Sequence, residues 1–250
     1  MNVEPSIIYE NEDILVIDKP VGLIVHGDGR TKEPTLAEWL LARYPALSAV
    51  GEPWTSPQGE IIPRPGIVHR LDRTTSGVMV VAKTAEAHAF LKEGFQKRTI
   101  AKEYLAYVYG HPKVNDGIIE AEIRRTRTSP PRWTAEPGRR GGHRAAVTHW
   151  EVVERGTDAG NGDKVSLLRV MPKTGRTHQI RVHLKIIHHA VVADPLYAPG
   201  QPALLGFERP ALHARSLSVT LPSGERKEFE AALPSDFEAA RARFVPREPE

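Results

Sequence analysis

The sequence contains no cysteine among its 250 residues. This absence excludes disulfide bonds, thiolate metal sites and cysteine nucleophiles. No apolar run approaches the roughly 18 residues that a membrane-spanning helix needs. Residues 1–5 also lack the basic start and apolar stretch of a signal peptide. These absences predict a cytoplasmic protein with no membrane partner.

Acidic residues are scarce in one segment. The net charge of the whole chain is only +3, but seven arginines and a single acid, Glu136, lie between Arg124 and Arg144. The prolines and glycines of the same segment predict a loop. Two interpretations stay open: a solvated loop that aids solubility, or an arm that contacts phosphates.

Apolar runs and turn residues predict most of the secondary structure. A buried strand is expected at 14–17, and a helix from the capping box of Thr35 and Glu38 to about Arg43. Residues 45–65 are rich in Pro, Gly and Ser and predict a long surface loop. Further strands are predicted at 78–82, 104–109, 147–153, 165–171 and 212–221, and further helices at 85–96 and 179–187.

The order of these elements predicts the fold class. Gly160-Asn161-Gly162-Asp163 is a strong turn signal, so the strands on either side of it are expected to form a hairpin. Runs of strands without regular βαβ alternation predict an α+β fold: a mixed, largely antiparallel sheet with flanking helices and a basic cleft. We expect a single domain over residues 1–245 and a frayed tail at 246–250.

The first segment with dense chemistry is His69-Arg70-Leu71-Asp72-Arg73, followed by Thr74-Thr75-Ser76-Gly77. A surface ion-pair cluster is the plain interpretation of one acid between two arginines. However, nearby opposite charges hold an aspartate ionised, as a carboxylate nucleophile must be. The residues that follow also favour a tight turn that would fix the position of the acid.

The second dense segment runs from Thr174 to His183. Thr177 is predicted to cap the helix that follows, and the N-terminus of a helix favours anionic partners. Arg181 lies about one turn into that helix, where it could reach a buried carboxylate of another segment. A capped surface helix with exposed charge is the alternative.

His69-Arg70-Leu71-Asp72 with Thr75-Ser76-Gly77 resembles the active-site motif of the RluA family of pseudouridine synthases. Five further segments resemble motifs of that family, in the same order along the chain and spanning roughly residues 14–220. They are Asp18-Lys19-Pro20-Val21-Gly22-Leu23 with Val25-His26, Lys102-Glu103-Tyr104 with Val108 and Gly110, Thr174 to His183, Asp194 with Tyr197, and Leu212-His213-Ala214.

The sequence departs from the family pattern at three places. Ala193-Asp194 stands where the family commonly has Gly-Asp, and Gly142-His143-Arg144-Ala145 where an element containing Gly-Lys is common. Many relatives carry an N-terminal S4 RNA-binding module, whereas here the first motif begins near Ile14. We therefore expect the catalytic domain and its arginine loop to supply the affinity for RNA.

The resemblance implies an RNA pseudouridine synthase that isomerises specific uridines in structured rRNA or tRNA. Asp72 would act on the ribose, either by attack at C1′ or by deprotonation at C2′. Arg181 would form the ion pair that orients Asp72, and Tyr104 would stack on the uracil. The residues expected to contact RNA are Arg70, Arg73, Lys102, Arg139, Arg140, Arg144, Arg176 and Gln179.

The implied reaction gains and loses no atoms, so neither a cofactor nor a metal is expected. RNA is the expected partner of a monomer that has no obligate protein partner. One alternative is an RNA-binding protein of the same fold without the chemistry. Another is a metal hydrolase, suggested by eleven histidines, but His178, His183, His188 and His189 lack the spacing of a helical zinc motif. His183 and His188 are instead expected at the surface or partly packed.

Overall fold

The computed structural model describes residues 4–27, 33–126, 132–135 and 144–247. The chain divides into two compact units. The first consists of residues 1–101 and 214–232, and the second of residues 102–213 and 233–250. The single domain predicted from the sequence therefore stays a prediction.

The three predicted helices lie close to their predicted positions and are α1 (Leu36–Arg43), α2 (Ala85–Lys97) and α3 (Gln179–Ile186). The structure adds a fourth helix, α4 (Ser235–Arg243), that the sequence did not predict, and a short 3-10 helix at Pro45–Ala49. None of the helices in the described part of the chain is long and apolar enough to span a membrane.

Most of the strands pair antiparallel. They are β1 (Ser6–Glu10), β2 (Ile14–Lys19), β3 (Trp54–Thr55), β4 (Ile61–Ile62), β5 (Ser76–Ala82), β6 (Ala101–Tyr109), β7 (Asp116–Glu120), β8 (Arg124–Arg125), β9 (Trp133–Thr134), β10 (Val147–Asp158), β11 (Lys164–Pro172), β12 (Leu212–Thr220), β13 (Arg226–Glu230) and β14 (Phe244–Pro246). The six predicted strands correspond to β2, β5, β6, β10, β11 and β12, and the other strands were not predicted. The predicted α+β fold with a largely antiparallel sheet is confirmed, whereas the predicted basic cleft stays a prediction.

In the first unit, β2 lies between β1 and β5, and β12 follows β5 in the sheet. β2 pairs antiparallel with β5, with Ile17 opposite Met79. Both of these side chains are fully buried. Every residue of β5 is buried, which explains why its sequence is a continuous apolar run and does not alternate.

In the second unit, β11 lies between β6 and β10, and both β7 and β14 pair with β10. The predicted hairpin of β10 and β11 is confirmed. Asp158 closes its turn, because its Oδ1 accepts a hydrogen bond from the amide of Gly160 at 2.7 Å. Helices α3 and α4 contribute Ile180, Leu184 and Phe237 to the apolar core of this unit.

The capping box of α1 forms as predicted. The amide of Glu38 donates to Thr35 Oγ1 at 3.2 Å, and the Glu38 carboxylate accepts from the amide of Thr35 at 2.8 Å. Because the two groups satisfy each other's unpaired backbone donors, the helix starts at a position that the sequence alone fixes.

Two predicted loops contain more structure than expected. The 3-10 helix and the β3–β4 hairpin occupy residues 45–65, and β8 pairs with β9 inside the arginine-rich segment. At the C-terminal end, the amide of Arg247 donates to the carbonyl of Arg155 at 2.8 Å. Residues 248–250 lie outside the described residues, so the frayed tail stays a prediction.

Candidate active site

Asp72 lies half-buried in the loop that precedes β5 in the first unit. The amide of Thr75 donates to the carbonyl of Asp72 at 3.1 Å and closes the predicted turn. Gly77 follows with φ +119°, and a Cβ at this position would lie 2.2 Å from the carbonyl oxygen of Ala214. Only glycine fits such a close approach, so the start of β5, which directly follows the Asp72 loop, lies tightly against β12.

Lys19 fastens the Asp72 loop from the other side. Its side chain is fully buried, and Nζ donates to the carbonyls of Pro20 at 2.7 Å, Leu23 at 3.0 Å and Arg73 at 3.4 Å. The amide of Gly22 also donates to the Arg73 carbonyl at 2.9 Å. The structure thereby joins two of the predicted motifs into one rigid piece of the first unit.

Arg70 is exposed, and its Nη1 lies 3.3 Å from Nε2 of His26. The Nδ1 atom of His26 lies 2.9 Å from the carbonyl oxygen of Gly27. A carbonyl can only accept, so Nδ1 carries the proton and Nε2 is the atom that accepts from Arg70. This neutral ring therefore orients the Arg70 guanidinium without reducing its positive charge.

His69 and Arg73 take different roles beside Arg70. The amide of Val80 donates to Nε2 of His69 at 3.0 Å, and the His69 ring stacks on Phe95 with centroids 4.6 Å apart. His69 thus anchors the loop to β5 and α2. Arg73 forms an exposed ion pair with Glu33, with Nη1 to Oε1 at 2.9 Å, which partly offsets its charge.

In the second unit, Arg181 forms a buried, bidentate ion pair with Asp194. Nε lies 2.7 Å from Oδ2 and Nη2 lies 2.8 Å from Oδ1. The two side chains are 4% and 0% exposed. The sequence predicts that Arg181 pairs with Asp72, a residue of the other unit, and that pairing stays a prediction. Asp194, for which no role was predicted, is the partner within the unit.

The backbone around Asp194 is also tightly determined. Its Oδ1 accepts from the amides of Leu196 at 3.0 Å and Tyr197 at 3.1 Å. The preceding residue, Ala193, has φ +56°. A left-handed backbone favours glycine, which explains physically why a Gly-Asp pair is common here in the family that the sequence resembles.

Tyr197 connects α3 to the arginine-rich segment. The Tyr197 hydroxyl lies 2.8 Å from Nδ1 of His178 and accepts from the amide of Trp133 at 3.3 Å. The guanidinium carbon of Arg181 lies 5.0 Å from the centre of the Tyr197 ring. Arg132, next to Trp133, donates from Nη1 to the carbonyl of Leu196 at 3.4 Å. The β8–β9 hairpin is thus anchored beside the Arg181–Asp194 pair.

The N-cap of helix α3 lies one residue later than predicted. The N-cap is His178, with φ +55° and no side-chain cap, whereas Thr177 is exposed. The prediction that Thr177 caps this helix is therefore wrong. The amide of Gln179, the first residue of the helix, donates to the carbonyl of Arg176 at 3.0 Å.

Gln179 organises the loop before α3. Its Oε1 accepts from the Thr174 hydroxyl at 2.6 Å and from the amide of Arg176 at 3.0 Å. Its Nε2 donates to the carbonyl of Val147 at 3.0 Å and to Thr148 Oγ1 at 2.9 Å. Gln179 is buried. The side-chain amide therefore shapes this loop, and a direct contact with RNA stays a prediction.

Lys102 and Arg176 border the same loop. Nζ of Lys102 donates to the carbonyl of Thr174 at 3.2 Å. Burial, together with a smaller effect of the positive charge of Lys173, lowers the pKa of Lys102 to about 8. Nε of Arg176 donates to the carbonyl of Ala145 at 3.3 Å. These contacts place two of the predicted RNA-contacting cations around one loop.

The remaining predicted residues lie on β6 and the arginine-rich segment. Tyr104 is partly buried on β6, opposite Val170 of β11. Arg144 is exposed and pairs through its backbone with Ile123. Arg139 and Arg140 lie outside the described residues.

The clustered histidines differ in exposure: His188 is exposed, in agreement with its prediction, whereas His183 is buried. His183, predicted at the surface or partly packed, is fully buried, so that prediction is wrong. Its Nδ1 lies 2.9 Å from Thr148 Oγ1, and its Nε2 lies 3.3 Å from the carbonyl of Ala121. Burial lowers the pKa of His183, which favours the neutral ring in these contacts.

Sequence reasoning missed the structural roles of Lys19, Asp194 and Tyr197. All three belong to segments of the sequence that resemble the family motifs. Their partners lie on segments distant along the chain or on backbone carbonyls, and such contacts leave no periodic signal.

The sequence of this chain is similar to those of known RNA-modifying enzymes. The family described as RNA pseudouridylate synthase matches residues 13–185. An RNA pseudouridine synthase of Synechocystis is 39% identical over 238 residues, which are 95% of this chain and 68% of the relative. The ribosomal large subunit pseudouridine synthase D of Zymomonas mobilis is 36% identical over 241 residues, which are 93% of this chain and 70% of the relative.

The solved structure of human RNA pseudouridylate synthase domain containing 1 superposes with a TM-score of 0.73 at 28% identity. The superposition covers 98% of this chain and 89% of that one. The family match includes the Asp72 loop, Tyr104 and Arg181, the three predicted catalytic positions. The chain therefore belongs to the RNA pseudouridylate synthase family and is an isomerase that forms pseudouridine in RNA.

Proposed function

We propose that this enzyme isomerises specific uridines in structured ribosomal RNA, with Asp72 acting on the ribose. Relatives named ribosomal large subunit pseudouridine synthase D support rRNA as the substrate in preference to tRNA. Such a substrate is consistent with a cytoplasmic enzyme that works as a monomer. The observation that carries the proposal is the Asp72 loop, which is fixed by Lys19 on one side and by the Gly77–Ala214 contact on the other.

The reaction breaks the C1′–N1 bond of uridine, turns the uracil and forms a C1′–C5 bond. One proton leaves C5 and one is gained at N1, so atoms and electrons balance without a cofactor. The ribose becomes electron-poor when the first bond breaks, and a nearby carboxylate stabilises such a centre. In our proposal Asp72 supplies this carboxylate, either by attack at C1′ or by deprotonation of C2′.

The other two predicted catalytic residues take supporting roles in the proposal. Arg181 pairs with Asp72 and keeps it ionised, and its existing pair with Asp194 fixes the guanidinium before substrate binds. Tyr104 stacks on the detached uracil and retains it near C1′. Both residues belong to the second unit, so the proposal requires that the two units act together.

Affinity for RNA comes from arginine and lysine contacts with phosphates. Arg70, Arg73, Lys102, Arg144 and Arg176 supply these contacts in the proposal. Arg139 and Arg140 extend the same set along the arginine-rich segment. Turning a uridine out of its stack costs a few kcal/mol, least in a loop or bulge, and backbone contacts offset this cost.

Replacing Asp72 by Asn tests the proposal directly. We expect release of tritium from 5-tritiated uridine in large-subunit rRNA to fall by at least about a thousand-fold, because the amide cannot act as a nucleophile or base. Melting temperature and RNA affinity should change little. The matched control is Asp163→Asn, in the β10–β11 turn, which should retain full activity.

Pseudouridine mapping in cells with and without the gene identifies the substrate. Loss of a site in large-subunit rRNA is the expected result, whereas loss confined to tRNA would replace rRNA by tRNA. RNA binding without isomerisation by the wild-type protein would favour the alternative of a binding protein that keeps the fold without the chemistry. Full activity of the Asp72→Asn variant would refute the role of Asp72.

A further inference from the structure

Tyr197, which the proposed chemistry does not use, contacts two functional elements of the second unit. Its side chain is buried. The hydroxyl accepts from the amide of Trp133 at 3.3 Å and lies 2.8 Å from Nδ1 of His178, and a hydroxyl can accept and donate at the same time. The ring centre lies 5.0 Å from the guanidinium carbon of Arg181. One side chain thus contacts both the β8–β9 hairpin and the arginine that the proposed chemistry uses.

The position of Tyr197 is fixed independently of the hairpin. Its amide donates to Oδ1 of Asp194 at 3.1 Å, and the same oxygen accepts from Nη2 of Arg181 at 2.8 Å. Bidentate pairs of arginine and carboxylate are geometrically specific, and this one is fully enclosed in the second unit. Tyr197 is therefore a rigid support, and the hairpin is the element that it holds.

The other attachments of the β8–β9 hairpin are few. The backbones of Ile123 and Arg144 exchange two hydrogen bonds of 3.0 and 3.1 Å, and Arg132 Nη1 donates to the carbonyl of Leu196 at 3.4 Å, near the upper limit for such a bond. Trp133 packs on a small apolar cluster that is distinct from the main core of the unit and consists of Ile123, Ala146, Val182 and Tyr197. A segment with few buried contacts opens locally at low cost, so each anchoring bond has a large influence on its position.

The hairpin carries positive charge without a compensating acid. Residues 123–126 and 132–135 include Arg124, Arg125 and Arg132 and no aspartate or glutamate. Arg125 is exposed, and the other two are partly exposed. Cations on a segment that is already in place lose less freedom when they bind an anionic chain. The position of the hairpin therefore determines how well its arginines can bind the phosphates of an RNA.

We propose that Tyr197 is a positioning residue that holds the β8–β9 hairpin in place for binding of the RNA substrate. This inference rests on the proposed function, because it takes RNA as the partner of the hairpin arginines. The hydroxyl holds the hairpin, while the ring stays fixed beside the Arg181–Asp194 pair. RNA bound to the hairpin is thereby held at a defined position relative to Arg181.

Replacing Tyr197 by Phe removes the hydroxyl and keeps the ring beside Arg181. Amide hydrogen exchange is measured without RNA in peptides that contain residues 123–126 and 132–135. We expect exchange in these segments to accelerate about three- to tenfold, because loss of one hydrogen bond shifts a local opening equilibrium by roughly this factor. Peptides from β11 should exchange as in the wild type.

Kinetics of tritium release from 5-tritiated large-subunit rRNA distinguish positioning from general stability. KM should rise about three- to tenfold in Tyr197→Phe, because only the fraction of molecules with the hairpin in place binds RNA fully. The fall in kcat should be smaller than the rise in KM, since bound RNA holds the hairpin in place at saturation. A merely structural loss would unfold part of the enzyme, which lowers kcat and leaves KM unchanged.

Tyr44→Phe is the matched control. The Tyr44 hydroxyl donates to Oε2 of Glu10 at 2.9 Å, and Nζ of Lys83 lies 5.8 Å from the ring centre. This variant also loses a hydroxyl hydrogen bond from a tyrosine beside a cation, but in the first unit. Exchange in the hairpin and KM should both stay at their wild-type values.

The outcomes separate this inference from the proposed function. Faster hairpin exchange together with a raised KM supports the positioning role. Unchanged exchange in Tyr197→Phe would show that the hydroxyl does not hold the hairpin, and faster exchange with an unchanged KM would show that the position of the hairpin does not matter for RNA. Either result overturns the inference and leaves the enzyme assignment intact. A wild-type protein that isomerises no RNA would instead count against the proposed function.

Discussion

The two predicted catalytic charges occupy contrasting environments. Asp72 is half-buried in a loop held mainly by backbone contacts, with Lys19 bonded to carbonyls on either side. Arg181 is buried on a helix and paired with Asp194, whose side chain is fully buried. The contacts described for the first region come from its backbone and from Lys19, whereas the second region uses the charge of Arg181 as part of its support. Activity and stability should therefore separate at Asp72 and fall together at Arg181.

Arg181→Met gives the largest effect that this contrast predicts for stability. Removing one partner leaves the other as a buried charge without its ion pair, which costs about 3–5 kcal/mol. Urea unfolding should show this loss, whereas Asp72→Asn should stay within about 0.5 kcal/mol of wild type.

The double variant Arg181→Met with Asp194→Asn provides the control. It should recover part of the lost stability because the buried carboxylate is no longer charged, while activity stays low. Equal stability losses for Asp72→Asn and Arg181→Met would contradict the contrast between the two regions.

At Lys102, the pH dependence of stability provides a further test. Its pKa of about 8 lies below the usual value of 10.5, so the folded protein disfavours the charged form. The resulting destabilisation is fully present below pH 8 and disappears above pH 10.5. The free energy of unfolding should therefore increase with pH between these two values.

RNA binding should follow the opposite trend. As pH rises from about 7 to about 9, Lys102 loses its proton and the wild type should lose up to about one unit of salt slope. Lys102→Arg keeps its charge and should bind equally at both values. An equal decrease in the two proteins would show that Lys102 does not contact phosphate.

Ala193→Gly gives the smallest expected effect. The left-handed backbone at φ +56° is unfavourable for alanine by roughly 1–2 kcal/mol. Glycine removes this strain, but it also increases the conformational entropy of the unfolded chain, which reduces the net stabilisation. We expect thermal unfolding to report a net stabilisation of about 0.5–1 kcal/mol. Ala89→Gly, at an exposed position in α2, should destabilise by a similar amount. A destabilised Ala193→Gly variant would contradict this account.

Elements with local signals were predictable from the sequence. The capping box fixes the start of α1, and the Gly-Asn-Gly-Asp turn fixes the β10–β11 hairpin, since each signal involves residues within a few positions. The Asp72 turn was predictable for the same reason. The position of Arg181 on α3 followed from the position of the helix.

Features that depend on distant contacts were not predictable. The Pro- and Gly-rich residues 45–65 indicate a loop locally, yet Gly51 and Gly66 hold a hairpin there through close packing on the backbone of Arg64 and Ala82. His183 looked like a surface residue because its partners, Thr148 and Ala121, lie far away in the sequence.

Clamping of the Asp72 loop has a consequence for how targets are chosen. Any side chain larger than hydrogen at residue 77 collides with the carbonyl of Ala214, so this part of the enzyme has little freedom to adapt its shape. The nucleic acid must then supply most of the deformation. Preference among uridines should accordingly depend on how easily each site is distorted, and weakly stacked positions should react fastest even where neighbouring bases are identical.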